Sequence, residues 1–439
     1  MQIDKTTYND LSLFSNEEEF SIFHKLNFTR TNGGKEWLRW MMNEPFGEIP
    51  KILDTQSIIQ LIQSRLNQWP PVITNGTMMV MERFYDTALD AIPRSADVFN
   101  VWMYKTLHSV DYGLVRYSVT HFRDFIVGMN AVAALIDSPA SPAKLQLFAS
   151  RIRSLLLHQQ LQELLKKGKD EKFSIRENLY FGHFFQNSFK ARFNELADIF
   201  YQLDAWHSMA AAVQHFGLTF PEFVVSGEPF IKAEKIYHIL LPRPVSYDIQ
   251  LSPNSNFLFL TGANMAGKST FIKSLGVVVY LAHLGMGVPA GKLQLSLFDG
   301  ILSNINVADN IARGESYFYN EVQRIKNTIL TISNGKKWLV LIDELFKGTN
   351  MQDAMRCSLA VIKGLIRIKG SLFILSTHLY EIGQEIQNYP TISFKYFETN
   401  ISNDKLEFTY QLKDGVSNDR LGYFILKSEK VVELLENLK

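Results

Sequence analysis

One cysteine, Cys357, in a chain of 439 residues excludes an internal disulfide and a thiolate-rich zinc site. It is expected to sit inert among apolar neighbours. Neither sign of charge dominates: 45 basic against 44 acidic residues leave a formal +1, so charge alone does not announce a nucleic-acid binder. The start, Met-Gln-Ile-Asp-Lys, lacks the charged and apolar regions of a secretory signal. The longest apolar stretch, around residues 276–290, is interrupted by His283, glycines and Pro289 and is too short to span a bilayer. There is no internal repeat and no low-complexity tract. These absences point to a soluble, reducing, cytoplasmic setting without a membrane partner. What is present, 46% hydrophobic residues, is enough for a sizeable core divided among two or three domains.

Two textures divide the chain. From about residue 10 to 225 the apolar residues recur at helical spacing. Phe20, Phe23 and Leu26 precede a break at Gly33-Gly34; Trp37, Leu38 and Met41 then resume a stripe that Pro45 ends. Ser141-Pro142 reads as an N-cap and first-turn pair ahead of Leu145, Phe148, Ile152 and Leu155. The stretch Lys166 to Lys172 reads as a solvated turn between long helices. Beyond residue 235 short apolar runs alternate with helical patterns, and Phe257–Leu260, Trp338–Ile342 and Leu372–Leu375 are candidate strands. The expected fold is therefore α plus α/β: an all-helical domain over 1–235 and an α/β domain over 236–439.

The chemistry lies in the second half. Thr261 to Thr270 place a G-x-x-x-x-G-K-S loop directly after an apolar strand, the cradle of a nucleoside triphosphate (P-loop). Gly262 and Gly267 let backbone N–H groups turn toward phosphates, Lys268 supplies a charge near the β/γ oxygens, and the Ser269 hydroxyl is placed to ligate Mg²⁺. The run ending in Asp343-Glu344 puts two acids at a strand terminus. Asp343 is placed to hold Mg²⁺ through water and Glu344 to polarise an attacking water. His378, after Ser376-Thr377 at the next strand end, is a candidate γ-phosphate sensor, with a structural histidine as the plainer reading. Between these motifs, Gly314-Glu315-Ser316 near a helix start is either an anion site completed by a second subunit or an ordinary N-cap.

These stretches, with Gly287-Val288-Pro289-Ala290, Asp309 to Glu321, Leu339 to Asn350 and Tyr410 to Ser417, resemble in order and content the ATPase domain of the MutS family, of the ABC class. Leu11 to Phe14, Leu26 to Gly34 and the segment near Leu203-Asp204-Ala205 are similar to that family's helical core and lever. The resemblance implies that Asn264, Gly267, Lys268, Ser269 and Thr270 bind ATP and Mg²⁺, that Asp343 holds the metal, and that Glu344 is the catalytic carboxylate. It places His378 on the switch histidine, Ser316 on the serine reaching the partner's γ-phosphate, and Tyr410 on an adenine-stacking position. The second adenine contact falls near Val245 to Tyr247.

The resemblance further implies a homodimer through the ATPase domain and mismatched or branched DNA as partner. The stretch leading into Leu11 lacks a Phe-x-Glu wedge and a connector domain, and only the short Lys166 to Lys172 turn stands where a DNA clamp would be inserted. Arg313 replaces a small residue in the signature loop, and little chain follows Leu435 for dimerisation helices. Contacts to DNA are thus expected to be non-specific and to phosphate. The leading expectation is a DNA-repair or recombination ATPase; the alternative is a nucleotide-gated protein-assembly module with little or no DNA binding.

Overall fold

The computed structural model describes all residues except 16, 95–97, 168–170, 307–316, 403–404, 418–429 and 437–439. The chain divides into two compact units, one of Met1–Lys25, Glu44–Leu53 and Phe216–Lys439, the other of Leu26–Asn43 and Asp54–His215. This is not a single cut near residue 235. Helical periodicity tells which face of an N-terminal segment is buried, but not against which unit.

The first unit is built on β1 (Gln2–Ile3), β2 (Glu222–Val224), β3 (Ile231–Ile236), β4 (Tyr247–Leu251), β5 (Phe257–Thr261), β6 (Lys292–Ser296), β7 (Gly300–Asn304), β8 (Trp338–Asp343), β9 (Ser371–Ser376), β10 (Ile392–Ser402) and β11 (Lys405–Asp414). Its larger sheet runs β1-β7-β8-β9-β5-β10-β11, and the smaller β2-β6-β3-β4. Among the described residues of the larger sheet, only the β10–β11 pairing is antiparallel. The three expected strands appear as β5, β8 and β9, buried along their whole length, as parallel strands covered by helices must be.

The N-terminal residues enter this unit through specific bonds. Asp10, buried, accepts from Ser303 Oγ at 2.5 Å, Ile305 N–H at 3.0 Å and Asn306 N–H at 3.1 Å. Those amides lie just past the last residue of β7, and the Asp10 carboxylate satisfies them.

The second unit is helical, with Ser109–Ile136 as its longest element. That helix is long and apolar enough to cross a membrane by length and composition. It buries Phe122, Phe125, Ile126 and Met129 and also carries Arg123 and Asp124, the pattern of a core helix. Phe122 stacks on Phe185 with centroids 4.2 Å apart. A π-turn at Phe185–Phe189 interrupts the helical run and buries both of its phenylalanines.

Gly33 and Gly34 do not break a helix; they lie within the first turn of the helix Asn32–Asn43. A Cβ at Gly33 would stand 2.5 Å from the Tyr201 ring, and one at Gly34 2.2 Å from Asp204 Oδ2. The pair permits close approach of the helix Lys190–Phe216. Asp204 there accepts from the N–H groups of Arg30 and Thr31 and from Thr31 Oγ1. The stripe on Asn32–Asn43 buries Leu38 and Met42, leaving Trp37 and Met41 half-buried. Among the described residues Ser141 Oγ has no hydrogen-bond partner, and the following helix starts at Ala143 without a side-chain cap.

Candidate functional site

Strand order assembles the site. β8, β9 and β5 are parallel neighbours, and their register sets Asp343 beside Ser376 and Ser376 beside Leu260. Loops that leave three adjacent strand ends converge, although Leu260, Asp343 and Ser376 stand 83 and 33 positions apart in sequence. Thr377 N–H and Glu344 N–H continue the pairing to Leu260 O and Ser376 O, both at 2.9 Å.

The loop between β5 and the helix Lys268–His283 turns through left-handed residues, with φ of +142° at Gly262 and +107° at Gly267. At Gly262 a Cβ would also stand 3.2 Å from Phe397 Cβ and 3.3 Å from Phe397 O, so both space and dihedral call for glycine. The first-turn N–H groups of the helix have no intrahelical acceptor and carry its positive dipole end, a ready anion seat. Lys268 is buried and its Nζ donates to Gly262 O at 2.8 Å and Ala263 O at 2.9 Å. Burial lowers its pKa, while Glu344 and Asp343 counteract.

Asp343 ends β8 and accepts from the hydroxyls of Ser269 and Ser376, one on each oxygen. A carboxylate and a hydroxyl already in contact form the hard-oxygen set that suits Mg²⁺. Glu344 follows with φ +65°. Its Oε1 lies 3.0 Å from His378 Nδ1 and its Oε2 3.3 Å from Lys347 Nζ. Burial pushes the Glu344 carboxyl up; the His378 hydrogen bond and the charges of Lys347, His378 and Lys268 outweigh it and hold the group at about 2.

A cavity of about 680 Å³ opens beside these groups and is lined by Asn264, Lys268, Ser269, Thr270, Asp343, Glu344 and Tyr410. Tyr410 reaches it through a bulge. Phe397 pairs with Leu412 and Thr399 with Phe408, so Thr409, Tyr410 and Gln411 oppose Glu398 alone. At the centre of that bulge Tyr410 has φ +54° and a ring 40% exposed. Of the early segment, Val245 and Tyr247 both line the cavity: Val245 is 41% exposed, while Tyr247 is buried and packs edge-on against Phe271 and Phe397. Burial, then the neighbouring Tyr410, pushes the Tyr247 hydroxyl up to about 12.

Of the residues singled out from sequence, Gly262, Asn264, Gly267, Lys268, Ser269, Thr270, Asp343, Glu344, His378 and Tyr410 thus lie around one set of strand ends. Ser316 and Arg313 lie outside the described residues. Sequence reasoning assigned Lys347 no role, and it gave Asp343 no partner on β9, although Ser376 was in view. Only the register of β8 on β9 discloses that contact.

The family profile of MutS domain V matches residues 258–434. That interval begins inside β5 and takes in the glycine-loop residues, both acids, His378 and Tyr410. The chain is MutS-related in this C-terminal region. Similar proteins are the DNA mismatch repair protein MutS of Petrotoga mobilis, 29% identical over 253 residues, and that of Shouchella clausii, 25% identical over 408 residues. A third, from Thermotoga maritima, is 32% identical over 183 residues. The three matches cover 56%, 89% and 42% of this MutS-related chain. They cover 31%, 44% and 23% of the relatives, so the chain spans less than half the length of each.

Proposed function

We propose that the chain is a Mg²⁺-dependent ATPase that acts as a dimer in DNA repair or recombination. The observation that carries this reading is the meeting of Ser269 with Asp343, and of Glu344 with His378, at the mouth of the glycine loop. The loop amides and Lys268 bind the phosphates, and Ser269 with Asp343 hold the metal, whose charge offsets that developing on the transferred phosphoryl group. A carboxyl at about 2 is ionised throughout the physiological range. Glu344 therefore orients and polarises a water molecule by accepting its hydrogen bond, and His378, held by Glu344, senses the γ-phosphate. Asn264 and Thr270 contact phosphate, and Tyr410 covers the base. Ser316 of a second copy completes the pocket.

DNA enters through the relatives, which are named as mismatch repair proteins; contacts here are non-specific and to phosphate. A second reading, a nucleotide-gated protein-assembly module, is favoured by the exposed Phe99, Trp102, Leu107 and Val110 on adjoining helices. ATP turnover with and without Mg²⁺ and with duplex, mismatched and branched DNA at low salt decides between them. Absence of Mg²⁺-dependent turnover defeats the ATPase reading, and indifference to every DNA favours the second.

A further inference from the structure

The turn after β8 holds two left-handed residues that are not glycine, Glu344 at φ +65° and Phe346 at φ +60°. Such backbone persists only where its surroundings over-determine it. Here the support comes from one face of the helix Tyr317–Ile332. Phe318 packs on Phe346 with ring centroids 5.7 Å apart. One turn further along, Glu321 is 2% exposed and uses both carboxylate oxygens on the turn: Oε1 accepts from Lys347 N–H at 3.2 Å and Oε2 from Gly348 N–H at 3.3 Å. Lys347, its backbone held in this way, puts Nζ 3.3 Å from Glu344 Oε2. Burial raises the Glu321 carboxyl, and the two amides and the Lys347 charge oppose that, so the turn and the carboxylate stabilise each other.

We propose that Glu321 is a positioning residue for hydrolysis: through the Lys347 and Gly348 amides it fixes the strained turn and thereby the ammonium that aims Glu344. The proposal rests on the ATPase reading above. It adds a contact outside the cavity lining: Glu321 touches the backbone of the turn after β8 and is not among the described residues that line the cavity. Loss of Glu321 therefore acts on the chemical step and spares nucleotide binding.

The test uses the full chain with Glu321→Ala and Glu321→Gln. In Gln one oxygen remains to accept, while its NH₂ meets the second N–H donor to donor. Two quantities are read: hydrogen exchange over residues 346–348 without nucleotide, and kcat together with the Kd for ATP in Mg²⁺. In Glu321→Ala, exchange over 346–348 is expected to quicken and kcat to fall, each by about tenfold or more, with Kd within about twofold of wild type. Glu321→Gln is expected to fall between. Unchanged exchange, unchanged kcat, or a parallel loss of kcat and ATP affinity in both variants overturns the proposal. A wild-type chain without turnover sinks the ATPase reading and this proposal with it, whereas active wild type with unaltered variants sinks the proposal alone.

Discussion

Replacing Lys268 by Met probes binding separately from folding. The ammonium donates to Gly262 O and Ala263 O, and those donors would turn to phosphate oxygens on binding. Charge-assisted hydrogen bonds are worth about 1.5–3 kcal/mol each, so a net loss of about 2–3 kcal/mol is expected, or roughly 30- to 140-fold in Kd. Stability should change little. Removing the ammonium also removes the burial that lowers its pKa, and the two carbonyls can be hydrated from a cavity of about 680 Å³. A net shift of about 1 kcal/mol or less in either direction follows. Calorimetric titration with MgATP gives the first quantity and urea unfolding the second. An affinity within about threefold of wild type, or a stability loss of about 4 kcal/mol, would refute the assignment of Lys268 to the phosphates.

Tyr410→Ala should raise the ATP concentration for half-saturation by about fivefold, the equivalent of ~1 kcal/mol of lost stacking, while leaving kcat intact. A folded variant with unaltered half-saturation would return Tyr410 to a structural role. Burial holds His207, His238 and His283 each at about 4, below an unfolded value of about 6.5. The unfolded chain thus binds more protons between those values. Stability from these groups is complete above about pH 6.5 and is lost as pH falls toward 4, at up to ~1.4 kcal/mol per pH unit for each histidine. Urea midpoints compared at about pH 7.5 and 5.5 check this, and a flat profile contradicts it.

The fold and site were unequally legible. The glycine loop, Asp343 with Glu344, and the strands β5, β8 and β9 could be read because their signals are local: a motif, or an apolar run with an abrupt polar end. The order β8-β9-β5 is a long-range fact, and with it the bonding of Ser376 to Asp343. Gly33-Gly34 misled because glycine marks both a helix end and a close approach, and only the position of Tyr201 and Asp204 distinguishes the two. The contact of Asp10 with the end of β7 escaped notice because its partners Ser303, Ile305 and Asn306 lie some three hundred residues away in the chain. Tyr410 could be placed by resemblance, but the three-against-one bulge that carries it to the cavity depends on how β10 pairs with β11.

The central claim is that Glu344 acts on water at a site where Lys268, Ser269 and Asp343 bind the nucleotide and its metal. The most direct test is single-turnover hydrolysis of ATP by wild type and Glu344→Gln, with and without Mg²⁺, beside equilibrium binding of ATP to both. The account predicts Mg²⁺-dependent turnover by wild type and a fall of about a hundredfold or more in Glu344→Gln, with ATP still bound as tightly. Hydrolysis by Glu344→Gln at the wild-type rate, or no Mg²⁺-dependent hydrolysis by wild type, would contradict it.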